Sequence, residues 1–176
     1  MIELKVSPLT AAAFAPYGEV IEASPAAERR IINAGNTERF HDLANIDAGR
    51  NGQTIVSIFR GQPRELPFAI TMMEKHPLAS QAFMPLSGQP YLVAVATPGD
   101  TVSAEAIRVF LAQPHQGVNY AAGTWHHPLL ALNDVCDFLV IDRAGDGDNC
   151  IEQTLDMPAT IPVLGTSESG VKWAVE

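Results

Sequence analysis

The chain has 176 residues, within the roughly 100–200 that one domain usually takes, so a single domain spanning 1–176 is expected. With 47% hydrophobic residues against 18% charged, burial can offset the entropy of ordering, which excludes a disordered chain. A formal charge of −9, with Arg29-Arg30 the one adjacent basic pair, excludes nucleic acid and anionic membranes as expected partners and leaves a small molecule.

The first residues, MIELKVSPLT, carry Glu3 and no apolar run of signal-peptide length, and no window approaches the ~18 apolar residues of a membrane span, so a cytoplasmic protein is expected. SPLTAAAFAPYG predicts a short helix capped by Ser7 or Thr10 and ended by Gly18, one of at most two on the N-terminal side. Thirteen Gly and 13 Pro then cut the chain into strand-length runs. Strands are predicted at 54–60, 68–74, 81–86, 91–96, 106–112, 129–133 and 136–142. Their connections are too short for crossover helices, so a mostly β fold is predicted, an antiparallel sandwich or closed barrel rather than an open parallel sheet. The core is thus expected at about 54–142, with 153–176 a peripheral tail that packs loosely or folds back through Trp173. Spacing alone permits a disulfide between Cys136 and Cys150; a reducing compartment favours two free thiols. GDGDN (145–149) lacks the ligand count of a calcium loop.

Chemistry concentrates in EKHPLASQAFMPLSG, residues 74–88. Residues two apart share a strand face, so Glu74 and His76 project together, and the turn begun by Pro77 returns the chain at Gln81. The spacing resembles the first cupin motif, with Glu74 in place of its first His, His76 as its second, Gln81 in place of its Glu, and Gly88. AAGTWHH (121–127) resembles the second motif, with Gly123 and His126 in step and Ala121 in place of Pro. Glu74, His76, Gln81 and His126 then form a candidate metal site of two imidazoles, one carboxylate and a weak carboxamide ligand, a set suited to Ni, Fe, Mn or Zn with open positions. His127 should face away from His126 and be structural, and His115 lies in a loop.

Four strings, ERFHDLA (38–44), HPLASQAFMPLSG (76–88), QGVNYAAGTWHHPL (116–129) and DFLVIDR (137–143), together resemble the ureidoglycolate lyase family, formerly called ureidoglycolate hydrolase, over about residues 3–152. The resemblance implies a cupin-like barrel of jelly-roll type, a homodimer, a divalent metal (nickel in particular), and cleavage of (S)-ureidoglycolate to glyoxylate and urea in allantoin breakdown. That elimination needs a base, an acid and no nucleotide or redox cofactor. His126 or Glu74 is the candidate base and His76 the acid or a second ligand. Gln81 and Asn119 suit the ureido group, and Arg60, then Arg39 and Arg143, the substrate carboxylate. Arg60 is placed first because it alternates with Val56 and Ile58 on one strand face. Tyr120 and Trp125 are expected in the barrel wall or a dimer contact. The rival classes are a metal-dependent cupin oxygenase or isomerase acting on a small carboxylate, a non-catalytic small-molecule-binding cupin, and a scaffold. Against a sensor stands the Gly-, Pro- and Asp-punctuated segment 1–53, unsuited to a helix-turn-helix; against a scaffold stand the inward polar side chains.

Overall fold

The computed structural model describes residues 2–165. In chain order the strands are β1 (Ile2–Glu3), β2 (Val6–Pro8), β3 (Gly18–Ile21), β4 (Glu28–Ile32), β5 (Thr37–His41), β6 (Gln53–Gly61), β7 (Phe68–Lys75) and β8 (Gln81–Pro85). They continue with β9 (Tyr91–Ala96), β10 (Arg108–Ala112), β11 (Gly117–Tyr120), β12 (Trp125–His126), β13 (Leu130–Ala131), β14 (Cys136–Ala144) and β15 (Ile151–Ile161). One four-residue helix, α1 (Ala11–Phe14), follows Thr10, whose hydroxyl accepts from the Ala13 N–H at 3.2 Å. Of the two caps the sequence offered, Thr10 serves.

One sheet runs β1-β15-β7-β12-β9-β10-β2, with β13 also on β9, and the other runs β3-β11-β8-β14-β6; β4 and β5 form a separate hairpin. Most pairs are antiparallel, but β1 joins β15 and β2 joins β10 in parallel, so the N-terminus seals the large sheet at both ends. The fold is a cupin-like β-barrel. Between the sheets lies a core of Phe83, Tyr91, Val93, Val95, Phe110, Val118, Phe138 and Val140, closed by Phe14 of α1. A second core on the far face of the large sheet packs Leu92, Ala94, Trp125 and Ile161. Strand β9, YLVAVA, is buried on both faces, which explains its unbroken apolar sequence.

The segment expected to be peripheral, 153–176, contains most of β15, which pairs along β7 and buries Leu155, Ala159 and Ile161. Its charged residues and Pro158 hide this in the sequence, and a register shift between Thr154 and Ala159 accommodates the irregularity. Trp173 lies outside the described residues. Cys136 is buried, Cys150 is exposed, and both are free thiols, as expected. Among the described residues no helix is long and apolar enough to cross a membrane.

Candidate active site

Strand register builds the site. His126 on β12 stands opposite Glu74 on β7, and Glu152 on β15 stands opposite Glu74 from the other side. Directly opposed residues share a face, and His126 is also opposite Val95, a residue of the inter-sheet core. The Glu152–Glu74–His126 row therefore lies on the inner face of the large sheet, buried at His126, partly buried at Glu74 and exposed at Glu152, and His76 follows two residues beyond Glu74. Gly123, at φ +81, makes the turn that starts β12, and its N–H donates to His76 O at 2.8 Å, tying the two motifs together. Gln81, opposite Tyr120 on β11, comes in from the other sheet.

Ligand atoms of Glu74, His76 and His126 all lie within 4.8 Å of one another. Both imidazoles are held in one tautomer. His126 Nδ1 donates to Thr124 O at 3.0 Å and His76 Nδ1 donates to Asn149 O. Each Nε2 is consequently a buried nitrogen without a hydrogen-bond partner among the described residues. A ring nitrogen fixed from behind by a carbonyl and free in front is the form that binds a metal or accepts a proton. The cluster therefore fits a divalent metal. The His126 ring stacks on Tyr120, centroids 4.3 Å apart at 12°, which fixes its plane.

The electrostatics follow from burial and neighbours. Burial alone would raise the Glu74 carboxyl, but His126, His76 and His127 outweigh it and hold it below its usual range, so Glu74 is ionised at neutral pH. Glu74 Oε1 lies 3.4 Å from His126 Nε2, close enough for the carboxylate to stabilise the ring once Nε2 takes up a proton. Burial, and then the charge of Glu74, push the Tyr120 phenol up, keeping it neutral. Glu74, Tyr120, His126 and His127 open onto a cavity of about 590 Å³ that Gln81, Phe59 and Phe83 also line, while His76 faces a neighbouring pocket that shares Gln81.

The structure brings Glu74, His76, Gln81 and His126 together and disperses others. Asn119 faces the opposite side of β11 from Tyr120, where its amide donates to Glu19 at 2.8 Å and Asn45 O at 3.0 Å; it is a structural bridge away from the cavity. Arg39 stands on the exposed hairpin opposite Arg30, on an element outside both sheets. Arg60 reaches the cavity rim, but the face it shares with Val56 and Ile58 is the exposed one, and its guanidinium is clamped to Asp137 by bonds of 2.7 and 2.8 Å. Arg143 caps the carbonyls of Ala48, Arg50 and Asp146. His127 lines the same cavity as His126 rather than facing away, because β12 ends at His126 and the strand alternation ends with it. His115 is an exposed loop residue paired with Glu22.

Two contributors escaped the sequence reading. Arg64 lines the cavity, stacks over Phe68 at 5.8 Å, and has no carboxylate partner among the described residues. Its loop position gave no periodic signal. Glu152 lay between the predicted core (54–142) and the predicted tail (153–176), where no strand was read, yet the β15 register sets it beside Glu74.

Comparison with known proteins agrees with this geometry. The family model described as ureidoglycolate lyase matches residues 1–162. A protein of Burkholderia mallei named ureidoglycolate lyase is 57% identical over 156 residues, 88% of this chain and 91% of the relative. One of Rhizobium meliloti, named ureidoglycolate lyase 1, is 52% identical over 94% of this chain and 96% of its own length. One of Azotobacter vinelandii, named ureidoglycolate lyase, is 51% identical over 85% and 90%. With this match and a cavity that gathers both halves of the cupin motif, the chain belongs to the ureidoglycolate lyase family.

Proposed function

We propose that the protein cleaves (S)-ureidoglycolate to glyoxylate and urea, a step of allantoin catabolism. The observation that carries the reading is the pair of imidazole nitrogens, unpartnered among the described residues, gathered with Glu74 within 4.8 Å, with Glu74 and His126 at the wall of a cavity that Gln81 and Arg64 also line.

The substrate is a carbinolamine whose central carbon bears a hydroxyl, a carboxylate and the urea nitrogen. His126 Nε2 accepts the hydroxyl proton, and ionised Glu74 stabilises the resulting imidazolium. The O–H electron pair becomes the new carbonyl bond of glyoxylate, the C–N pair leaves with the urea nitrogen, and that nitrogen takes up the proton held by His126, while His76, whose Nε2 carries no proton, serves as the second ligand rather than the acid. Gln81 offers the ureido group both a donor and an acceptor. Arg64, without a carboxylate partner among the described residues, pairs with the substrate carboxylate in preference to Arg60, which Asp137 already neutralises. As the alternative to a free His126 base, a divalent cation, nickel by the family resemblance, would be held by Glu74, His76 and His126 and would supply the positive charge that acidifies the hydroxyl.

A homodimer in the cytoplasm fits the same reading. Val56 and Ile58, 64% and 56% exposed, lie on β6 at the free edge of its sheet and suit a second copy; the unpaired thiols suit a reducing compartment.

The test is to follow glyoxylate and urea from racemic ureidoglycolate with chelator-treated protein, against a control without enzyme, before and after adding nickel, manganese or zinc. Equimolar products without ammonia support the lyase, and restoration by metal alone assigns the acidifying charge to a cation. No turnover under any metal overturns the proposal.

A further inference from the structure

The row that builds the active site continues past it. Glu152 and Glu74 are direct cross-strand neighbours on one face, a like-charge arrangement that costs stability unless a cation lies between. Among the described residues none does. Lys75, adjacent in sequence, is committed elsewhere, its Nζ donating to Gly99 O at 2.6 Å and lying 4.4 Å above the Trp125 ring. The exposed thiol of Cys150 completes the group: ligand atoms of Glu74, Cys150 and Glu152 all lie within 4.8 Å of one another. Beneath it, His126 is 2% exposed, and its unpartnered Nε2 lies 3.4 Å from the same Glu74 carboxylate.

We propose that Glu74, Cys150 and Glu152 form a second cation site, outside the Glu74–His76–His126 cluster and sharing Glu74 with it, that takes a thiophilic divalent cation of the zinc and cobalt class. Donor chemistry sets the selectivity. One thiolate and two carboxylates favour such ions over magnesium or calcium, which prefer all-oxygen shells. Zinc bonds of about 2.3 Å to sulfur and about 2.1 Å to oxygen put ligands on one tetrahedral ion roughly 3.5 Å apart, so atoms within 4.8 Å close by about 1 Å. The three side chains are exposed or partly so and can move that far. Coordination replaces the Cys150 S–H proton with the cation and releases that proton to solvent. Because the two clusters compete for one carboxylate, filling the outer site draws Glu74 from His126, so a thiophilic cation acts as an inhibitor of the inner site.

Cobalt(II) added to metal-free protein tests this directly, since a cysteine thiolate on cobalt gives a near-ultraviolet charge-transfer band and His–carboxylate ligation does not. The band is expected in the wild type and in His76→Gln, and lost in Cys150→Ser, a substitution at an exposed position that leaves the fold intact. Glu152→Gln should weaken zinc binding, read by calorimetry, at least about tenfold. No charge-transfer band in the wild type, its persistence in Cys150→Ser, or its loss in His76→Gln would each overturn a separate thiolate site. None of these readouts uses turnover, so they stand whether or not the lyase assignment does.

Discussion

Replacing Gln81 by Leu should stabilise the protein while disabling it. Gln81 is 7% exposed, and its Oε1 is buried without a hydrogen-bond partner among the described residues. A buried acceptor left unsatisfied costs about 1–3 kcal/mol. Leucine has nearly the same volume, so the substitution removes that cost without opening a cavity and adds an apolar neighbour to Phe83 and Tyr120. At about 2–4 °C per kcal/mol for a domain of this size, Tm should rise by about 2–12 °C. The same carboxamide is the proposed partner of the ureido group, so kcat/KM should fall at least about tenfold, equivalent to about 1.4 kcal/mol of transition-state binding. Circular-dichroism melts and a glyoxylate assay on the same preparations measure both. A melting point lowered by several degrees with kcat/KM intact would refute the reasoning, since it would make the amide a satisfied structural group.

Arg64→Gln should raise KM about tenfold or more with a smaller change in kcat, whereas Arg60→Gln, which removes a guanidinium already paired with Asp137, should alter KM less than about threefold; steady-state kinetics that reversed this order would return the carboxylate to Arg60. Phe14 is fully buried, with ring centroids 5.7, 5.9 and 6.2 Å from Tyr17, Phe110 and Tyr120, so Phe14→Ala should cost about 3–5 kcal/mol in urea unfolding. Because Tyr120 stacks on His126, the variant should also lose turnover, and full activity would sever that link. Burial lowers the His127 imidazole below its usual value, with Arg64 and His126 adding to the effect and Pro128 O and Glu74 opposing it. The unfolded state then takes up the proton first, so this group's contribution makes stability fall as pH drops below about 6.5, until the folded imidazole also titrates. An NMR titration midpoint for His127 at or above the ordinary value would contradict this.

Apolar patterning made the barrel's central strands legible. YLVAVA and CDFLVID are strands because each meets a core, and the predicted runs reappear as β6–β10, β13 and β14 with small shifts at their ends. Hairpin strands β4 (ERRII) and β5 (TERFH) were not readable because they face no core, and their charged residues satisfy no periodic pattern. Within the site, Glu74, His76 and His126 were legible because strand alternation and sheet register are the same rule applied along and across strands. Arg60 shows where that rule misleads. Alternation with Val56 and Ile58 established a shared face, but apolar residues on an edge strand mark a surface as readily as a core. Asn119 failed for the complementary reason, since its parity on β11 is opposite to that of Tyr120.

The placement of Glu152, Glu74 and His126 on three successive hydrogen-bonded strands makes the sheet itself a ruler. Neighbouring strands are held about 4.8 Å apart by their backbone bonds, so the spacing of these three backbone positions is set by the sheet and is insensitive to what the loops do. A change of residue on one rung alters the chemistry offered without moving the others. The same scaffold could thus be re-tuned to another cation or another leaving group by single substitutions, as a keyboard is retuned string by string while its frame stays still.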